Sequence, residues 1–186
     1  MSKLIITAAV TGGEPVSRNM TPHVPCSPEE ITKETVRCWE AGASIVHLHA
    51  KEPGTGKPAP DPNPLLKMYI EMIRDQCDII INVTTGGGRR ATADALDQMI
   101  RERCHLGQEM SSMNMGSINS WVPPYRGTFM NQIPIIERWV GYMREAGVKP
   151  ELEIYDTGMI NTAKMLAEKG TFDEPVHIQF VMIGRT

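Results

Sequence analysis

The stretch Ser44-Ile45-Val46-His47-Leu48-His49-Ala50 decides how the chain is read. Side chains on a β-strand alternate between faces, so Val46 and Leu48 share one face while His47 and His49 share the other. Glu40-Ala41-Gly42 before the run reads as a helix closing at a glycine. A loop rich in Pro and Gly follows it over 52–62. The run is therefore a strand set between helical segments, with one apolar and one polar face.

The same arrangement repeats outward in both directions. Apolar runs of strand length at 3–10, 44–50, 78–84, 109–115, 151–155 and 176–182 alternate with helical periodicity at 28–41, 64–76, 91–104, 131–146 and 158–168. Ser27-Pro28-Glu29-Glu30 supplies an N-cap, a proline at the first helical position and early acidic residues for the first helix. The long segment 116–130 reads as a loop, and loops of that length are often functional. Six strands and five helices in β-then-α order predict a parallel sheet with helical crossovers.

The polar strand residues favour a closed sheet over an open one. They are His47 and His49, Asn82 and Thr84, Ser112 and Asn114, Glu151 and Glu153, and His177 and Gln179. A doubly wound sheet, covered on both faces, has near-continuous apolar strands. In a (β/α)8 TIM-type barrel, Val46, Leu48, Ile81, Val83, Leu152 and Ile154 meet the ring of helices, and the polar set lines the interior near the C-terminal mouth. At 186 residues the chain falls short of the roughly 250 typical of that fold, so residues 1–186 read as a single barrel domain, incomplete at its C-terminus.

Composition excludes several function classes. A net charge of −3 with 5% aromatic residues provides neither a basic field for phosphates nor stacking platforms, so nucleic acid is not an expected partner. The apolar run after Met1 is short and reads as a strand, and no stretch reaches the ~18 apolar residues of a membrane span. A cytoplasmic protein with no membrane partner is the expectation. Cys26, Cys38, Cys77 and Cys104 match neither CxxC nor a zinc-finger spacing.

His47 and His49 stand about 6 to 7 Å apart along one strand face, a spacing that lets two imidazoles reach one metal. The alternative is a pair of hydrogen-bonded barrel histidines. Glu14, just past the first strand, is a candidate acid, base or polar orienter, or an ordinary loop glutamate. Thr84-Thr85-Gly86-Gly87-Gly88 ends a strand in bare backbone whose amides can wrap an anionic oxygen; it is neither a Walker A loop nor a Rossmann fingerprint. Ser112 and Asn114 can donate to an oxyanion or carboxylate, or satisfy a polar barrel layer. Glu153 and Asp156 can support a metal or form structural hydrogen bonds, and His177 and Gln179 are equally open. The 13 methionines read as core filler.

Taken together, these segments resemble the β-keto acid cleavage enzyme family, whose founding activity acts on 3-keto-5-aminohexanoate and acetyl-CoA. The resemblance is collinear. It runs through Ile6-Thr7-Ala8-Ala9-Val10-Thr11-Gly12-Gly13-Glu14, Glu40 to His49, Thr84-Thr85-Gly86-Gly87, Glu109 to Ser117, Pro150 to Met159 and Val176 to Val181. It implies a (β/α)8 barrel that joins a β-keto acid to the acetyl group of acetyl-CoA, releasing acetoacetate and a new CoA thioester. Zinc is the implied cofactor, with His47 and His49 as ligands. It also implies substrate or catalytic contacts for Glu14, Thr84 and Ser112, further contacts for Gly86, Gly87 and Asn114, and a homo-oligomer, a tetramer by resemblance. In the family a glutamate ligand, an aspartate and an arginine come from strands after the sixth, whereas this sequence stops at Thr186; Arg185 is a weak match to the arginine. A non-catalytic paralogue that binds metal or ligand, or serves in an oligomer, is the competing expectation.

Overall fold

A computed structural model of the chain describes residues 4–13, 15–16, 20–86, 92–120 and 127–182. The chain divides into two compact units, one over Met1–Met110 and one over Ser111–Thr186.

The first unit runs β1 (Thr7–Ala9), α1 (Pro28–Glu40), β2 (Ile45–Leu48), α2 (Asn63–Arg74), β3 (Ile80–Val83) and α3 (Ala93–Arg103). Helix α1 begins where Ser27 places its hydroxyl under the Glu30 amide, 3.2 Å away, while the Glu30 carboxylate accepts from the Ser27 amide at 3.1 Å. This reciprocal box satisfies amides that the first turn leaves without partners. At the other end Gly42 takes a φ of 106°, a conformation costly for any residue with a Cβ, and the chain turns into β2.

The three strands pair in parallel, with Ala9 opposite His47 and His47 opposite Asn82. Their apolar faces form one core: Val46, Leu48, Ile81 and Val83 pack with Ile31 of α1 and with Leu66, Tyr69, Ile70 and Ile73 of α2. Burial of these side chains is the main stabilising term, roughly 1.5 to 3 kcal/mol for each large one. It also fixes register, because a slip of one residue would drive His47 into the helix layer.

The second unit carries β4 (Met110–Asn114, mostly within it), β5 (Ile118–Ser120), β6 (Gly127–Phe129), α4 (Ile133–Glu145), β7 (Lys149–Ile154), α5 (Thr157–Glu168) and β8 (His177–Phe180). Helices α4 and α5 both pack on β7, whose Leu152 and Ile154 are buried. Strands β7 and β8 pair in parallel, with Glu151 opposite His177 and Glu153 opposite Gln179. Asp156 is the N-cap of α5, accepting from the Met159 amide at 2.9 Å, so of its two sequence-level readings the structural one accounts for its contacts.

One feature differs from expectation. The segment 116–130 holds a short antiparallel ladder, with Ile118 opposite Phe129 and Ser120 opposite Gly127. Strands of three residues are too short to show a period, which is why the sequence reads as loop there. In β8, Ile178 and Phe180 are 45% and 60% exposed, so this strand does not have the covered apolar face seen in β2 and β3. No helix among the described residues is long and apolar enough to cross a membrane.

Candidate functional site

In the first unit, His47 lies within β2 and His49 immediately follows Leu48, the last residue of the strand. The alternation that buries Leu48 completely turns both imidazoles to the opposite side. There the two Nε2 atoms approach to 3.0 Å, with ring centroids 4.9 Å apart and the planes at 66°. Burial pushes the His47 pKa down to about 4, with hydrogen bonding from Asn82 opposing it. For His49 burial, then His47, Lys51 and Arg103, push it down to about 3. Both rings are therefore neutral at physiological pH, the form that offers a lone pair to a metal.

The donor set fits a divalent metal of the zinc type. Two neutral imidazole nitrogens converge on one point, and imidazole is a preferred zinc ligand. Space is kept open at the ring of His49 by Gly13, where a Cβ would lie 3.1 Å from Cε1 and Nδ1 of that histidine. Among the described residues no group of three or more His, Cys, Asp or Glu side chains converges, so these two nitrogens are the part of such a site that can be described.

At the end of β3, Thr84 is 6% exposed and its hydroxyl oxygen accepts from the Gly86 amide at 2.9 Å. With that lone pair occupied, the hydroxyl proton remains to be donated elsewhere. Glu14 and Gly87, expected beside these residues, lie outside the described residues, as does Arg185.

Two buried cations in this unit stand apart from the candidates read in the sequence. Lys51 is 1% exposed, with its backbone N–H and carbonyl 3.4 and 3.3 Å from the Tyr69 hydroxyl. Its position continues the 47, 49, 51 alternation, a signal that extending the strand by two residues would have caught. Arg103, also 1% exposed, ends α3, where an arginine reads as an ordinary solvated cation at a helix C-terminus. No local sequence pattern marks it as buried.

The second unit has its own polar layer. Ser112 and Asn114 are buried on β4, and Glu151 is 2% exposed on β7 with Oε1 3.4 Å from Nε2 of His177. Glu153 lies two residues along. Burial first, then the neighbouring Glu151, push its pKa up to about 7, against hydrogen bonds from Tyr155 and Ser112. The Tyr155 hydroxyl is 3.4 Å from its Oε2, and burial together with that carboxyl raises the tyrosine as well. Glu153 is thus a carboxyl that can hold or release a proton near neutral pH, the behaviour wanted of a general acid or base.

Because Glu153 binds its proton more tightly folded than unfolded, its contribution to stability is complete below about pH 4.5 and is lost as pH rises through about 7. Glu153→Gln is expected to abolish that part of the slope. Urea titrations at pH 5 and pH 8 should find the variant little changed at the lower pH and more stable than the parent by about 1 to 3 kcal/mol at the higher. Equal differences at both values would mean that the carboxyl is ionised throughout.

Comparisons with known proteins bear on both fold and chemistry. A sequence profile of the beta-keto acid cleavage enzyme family matches residues 3–185. A 3-keto-5-aminohexanoate cleavage enzyme from Acetoanaerobium sticklandii is 38% identical over 185 residues, covering 98% of this chain and 63% of that protein. A 3-dehydrocarnitine:acetyl-CoA trimethylamine transferase from Rhizobium meliloti is 31% identical over 198 residues, covering 97% of this chain and 64% of that one. The chain thus spans a little under two thirds of the length of these relatives. Among solved structures, a xylose isomerase-like TIM barrel protein from Mycobacterium smegmatis superposes with a TM-score of 0.51 at 11% identity, over 95% of this chain and 63% of the other. That likeness bears on fold alone, and it agrees with the (β/α) TIM-barrel class expected from the strand pattern.

Proposed function

The chain belongs to the beta-keto acid cleavage enzyme family, and on that premise we propose that it cleaves a β-keto acid with acetyl-CoA to give acetoacetate and a new CoA thioester, with zinc held in part by His47 and His49. The observation that carries this reading is the approach of the two imidazole Nε2 atoms to 3.0 Å, both rings being neutral, in a strand segment that resembles the family's. The acetyl-CoA transferase name of the Rhizobium meliloti relative supports the choice of co-substrate.

The reaction balances as an exchange of acyl partners. The bond between the keto carbon and the adjacent methylene of the substrate breaks, the methylene carbon joins the acetyl carbonyl, and the displaced CoA thiolate receives the acyl group. Zinc, when bound, supplies a Lewis acid for the keto oxygen. His47 and His49 contribute neutral imidazoles from a rigid strand, and Gly13 keeps the approach to His49 free of a side chain. Thr84 donates its hydroxyl proton to charge developing on the substrate, an interaction of the oxyanion-hole type worth roughly 3 to 4 kcal/mol. Substrate contacts by Glu14, Gly86, Gly87, Ser112 and Asn114, homo-oligomeric assembly and a cytoplasmic location belong to the same proposal.

The test is direct. Purified chain reconstituted with zinc should retain about one metal ion per chain after dialysis and release acetoacetate from a β-keto acid only when acetyl-CoA is present. Turnover that persists undiminished after chelation would overturn the role given to zinc. The competing reading is a non-catalytic paralogue that binds metal or ligand. It predicts metal or keto-acid binding without any acetoacetate.

A further inference from the structure

Arg103 places a guanidinium inside the first unit with no carboxylate among its hydrogen-bond acceptors in the described residues. Its Nη1 donates to the carbonyl of Thr84 at 2.7 Å and to the carbonyl of Gly86 at 2.8 Å, while Nε donates to Oδ1 of Asn63 at 2.9 Å. Asn63 is turned for this purpose, because its amide nitrogen is occupied by the Met99 carbonyl at 3.0 Å. Arg103's own carbonyl is held in turn by Gln108 Nε2 at 2.8 Å.

Such an arrangement is costly for mere packing. A buried charge needs compensation, and an apolar side chain of similar volume would fill the space with less desolvation. What a methionine or leucine could not do is grip two carbonyls at positions i and i+2. With both carbonyls drawn to one nitrogen, residues 84–86 are held in a tight turn. The same turn lays the Gly86 amide on the Thr84 hydroxyl oxygen at 2.9 Å, which fixes that side chain's rotamer. A Cβ at Gly86 would lie 3.0 Å from this oxygen, so the turn is closed as far as the residues allow.

We infer that Arg103 is a positioning residue, gripping the Thr84 and Gly86 carbonyls so that the Thr84 hydroxyl is aimed at bound keto acid. The inference rests on the function proposed above for what Thr84 touches, but the grip itself is measurable without turnover. Arg103→Lys keeps the charge and loses the fork. In zinc-loaded protein it should speed hydrogen exchange of the Gly86 amide by about tenfold or more while amides of the β2 core stay protected. It should also weaken acetoacetate binding by about tenfold, and by less than about twofold when placed in a Thr84→Val background.

Asn63→Ala removes one anchor while leaving the guanidinium, and should move both readouts in the same direction by a smaller factor if Arg103→Lys fails to fold. Unchanged Gly86 exchange in both variants would overturn the grip. Equal losses of affinity with and without the Thr84 hydroxyl would overturn the route through Thr84 and leave Arg103 merely structural. If Gly86 exchange responds while the unaltered chain binds no acetoacetate, the keto-acid reading fails and the grip on the turn stands.

Discussion

Replacing His47 with alanine should eliminate zinc retention and lower acetoacetate release by at least about a thousandfold, with the far-ultraviolet circular dichroism unchanged. The expectation follows from geometry. The Nε2 atoms of His47 and His49 approach to 3.0 Å, and both rings are neutral because burial disfavours their charged forms. Loss of one leaves a single imidazole from this strand, too little to retain a labile ion. The fold should tolerate the change, since His47 faces away from the cluster that holds the strands to α1 and α2. Metal content by mass spectrometry after dialysis, read beside turnover, checks both halves. A variant that keeps full zinc and full activity would show that the pair is a hydrogen-bonded couple.

Leu48→Ala should act through the opposite face. Leu48 is 0% exposed and belongs to the cluster with Val46, Ile81, Val83, Leu66 and Tyr69. Truncating a leucine in such a setting costs about 2 to 5 kcal/mol, depending on how far the cavity collapses. Urea unfolding of the first unit should show that loss, while the remaining folded protein still binds zinc because the register of β2 with β3 persists. A cost below about 1 kcal/mol would mean that this face is loosely packed, contrary to its complete burial.

Much of this follows from alternation alone. Because a strand has a period of two, Val46 and Leu48 had to share a face and His47 and His49 the other, and the structure places them so. The capping signals around Ser27 likewise place the start of α1 at Pro28. What the pattern could not carry was three-dimensional coincidence. Arg103 occupies an ordinary helix-end position, and its inward turn depends on carbonyls 17 and 19 residues earlier. The raised Glu153 carboxyl depends on burial beside Glu151 and Tyr155, and sequence offers only the adjacency. The β5–β6 ladder was hidden by its shortness. Glu14, Gly87 and Arg185 fall outside the described residues, so their parts in the site rest on resemblance to the family.

The central claim is that the carbon framework of acetyl-CoA ends in acetoacetate while the acyl group of the keto acid ends on CoA. Acetyl-CoA labelled with carbon-13 in both acetyl carbons, incubated with zinc-loaded protein and an unlabelled β-keto acid, tests this in one mass spectrum. The account predicts doubly labelled acetoacetate and an unlabelled new CoA thioester in equal amounts. Labelled acetate with free CoA, or no acetoacetate at all from protein that has retained its zinc, would contradict it.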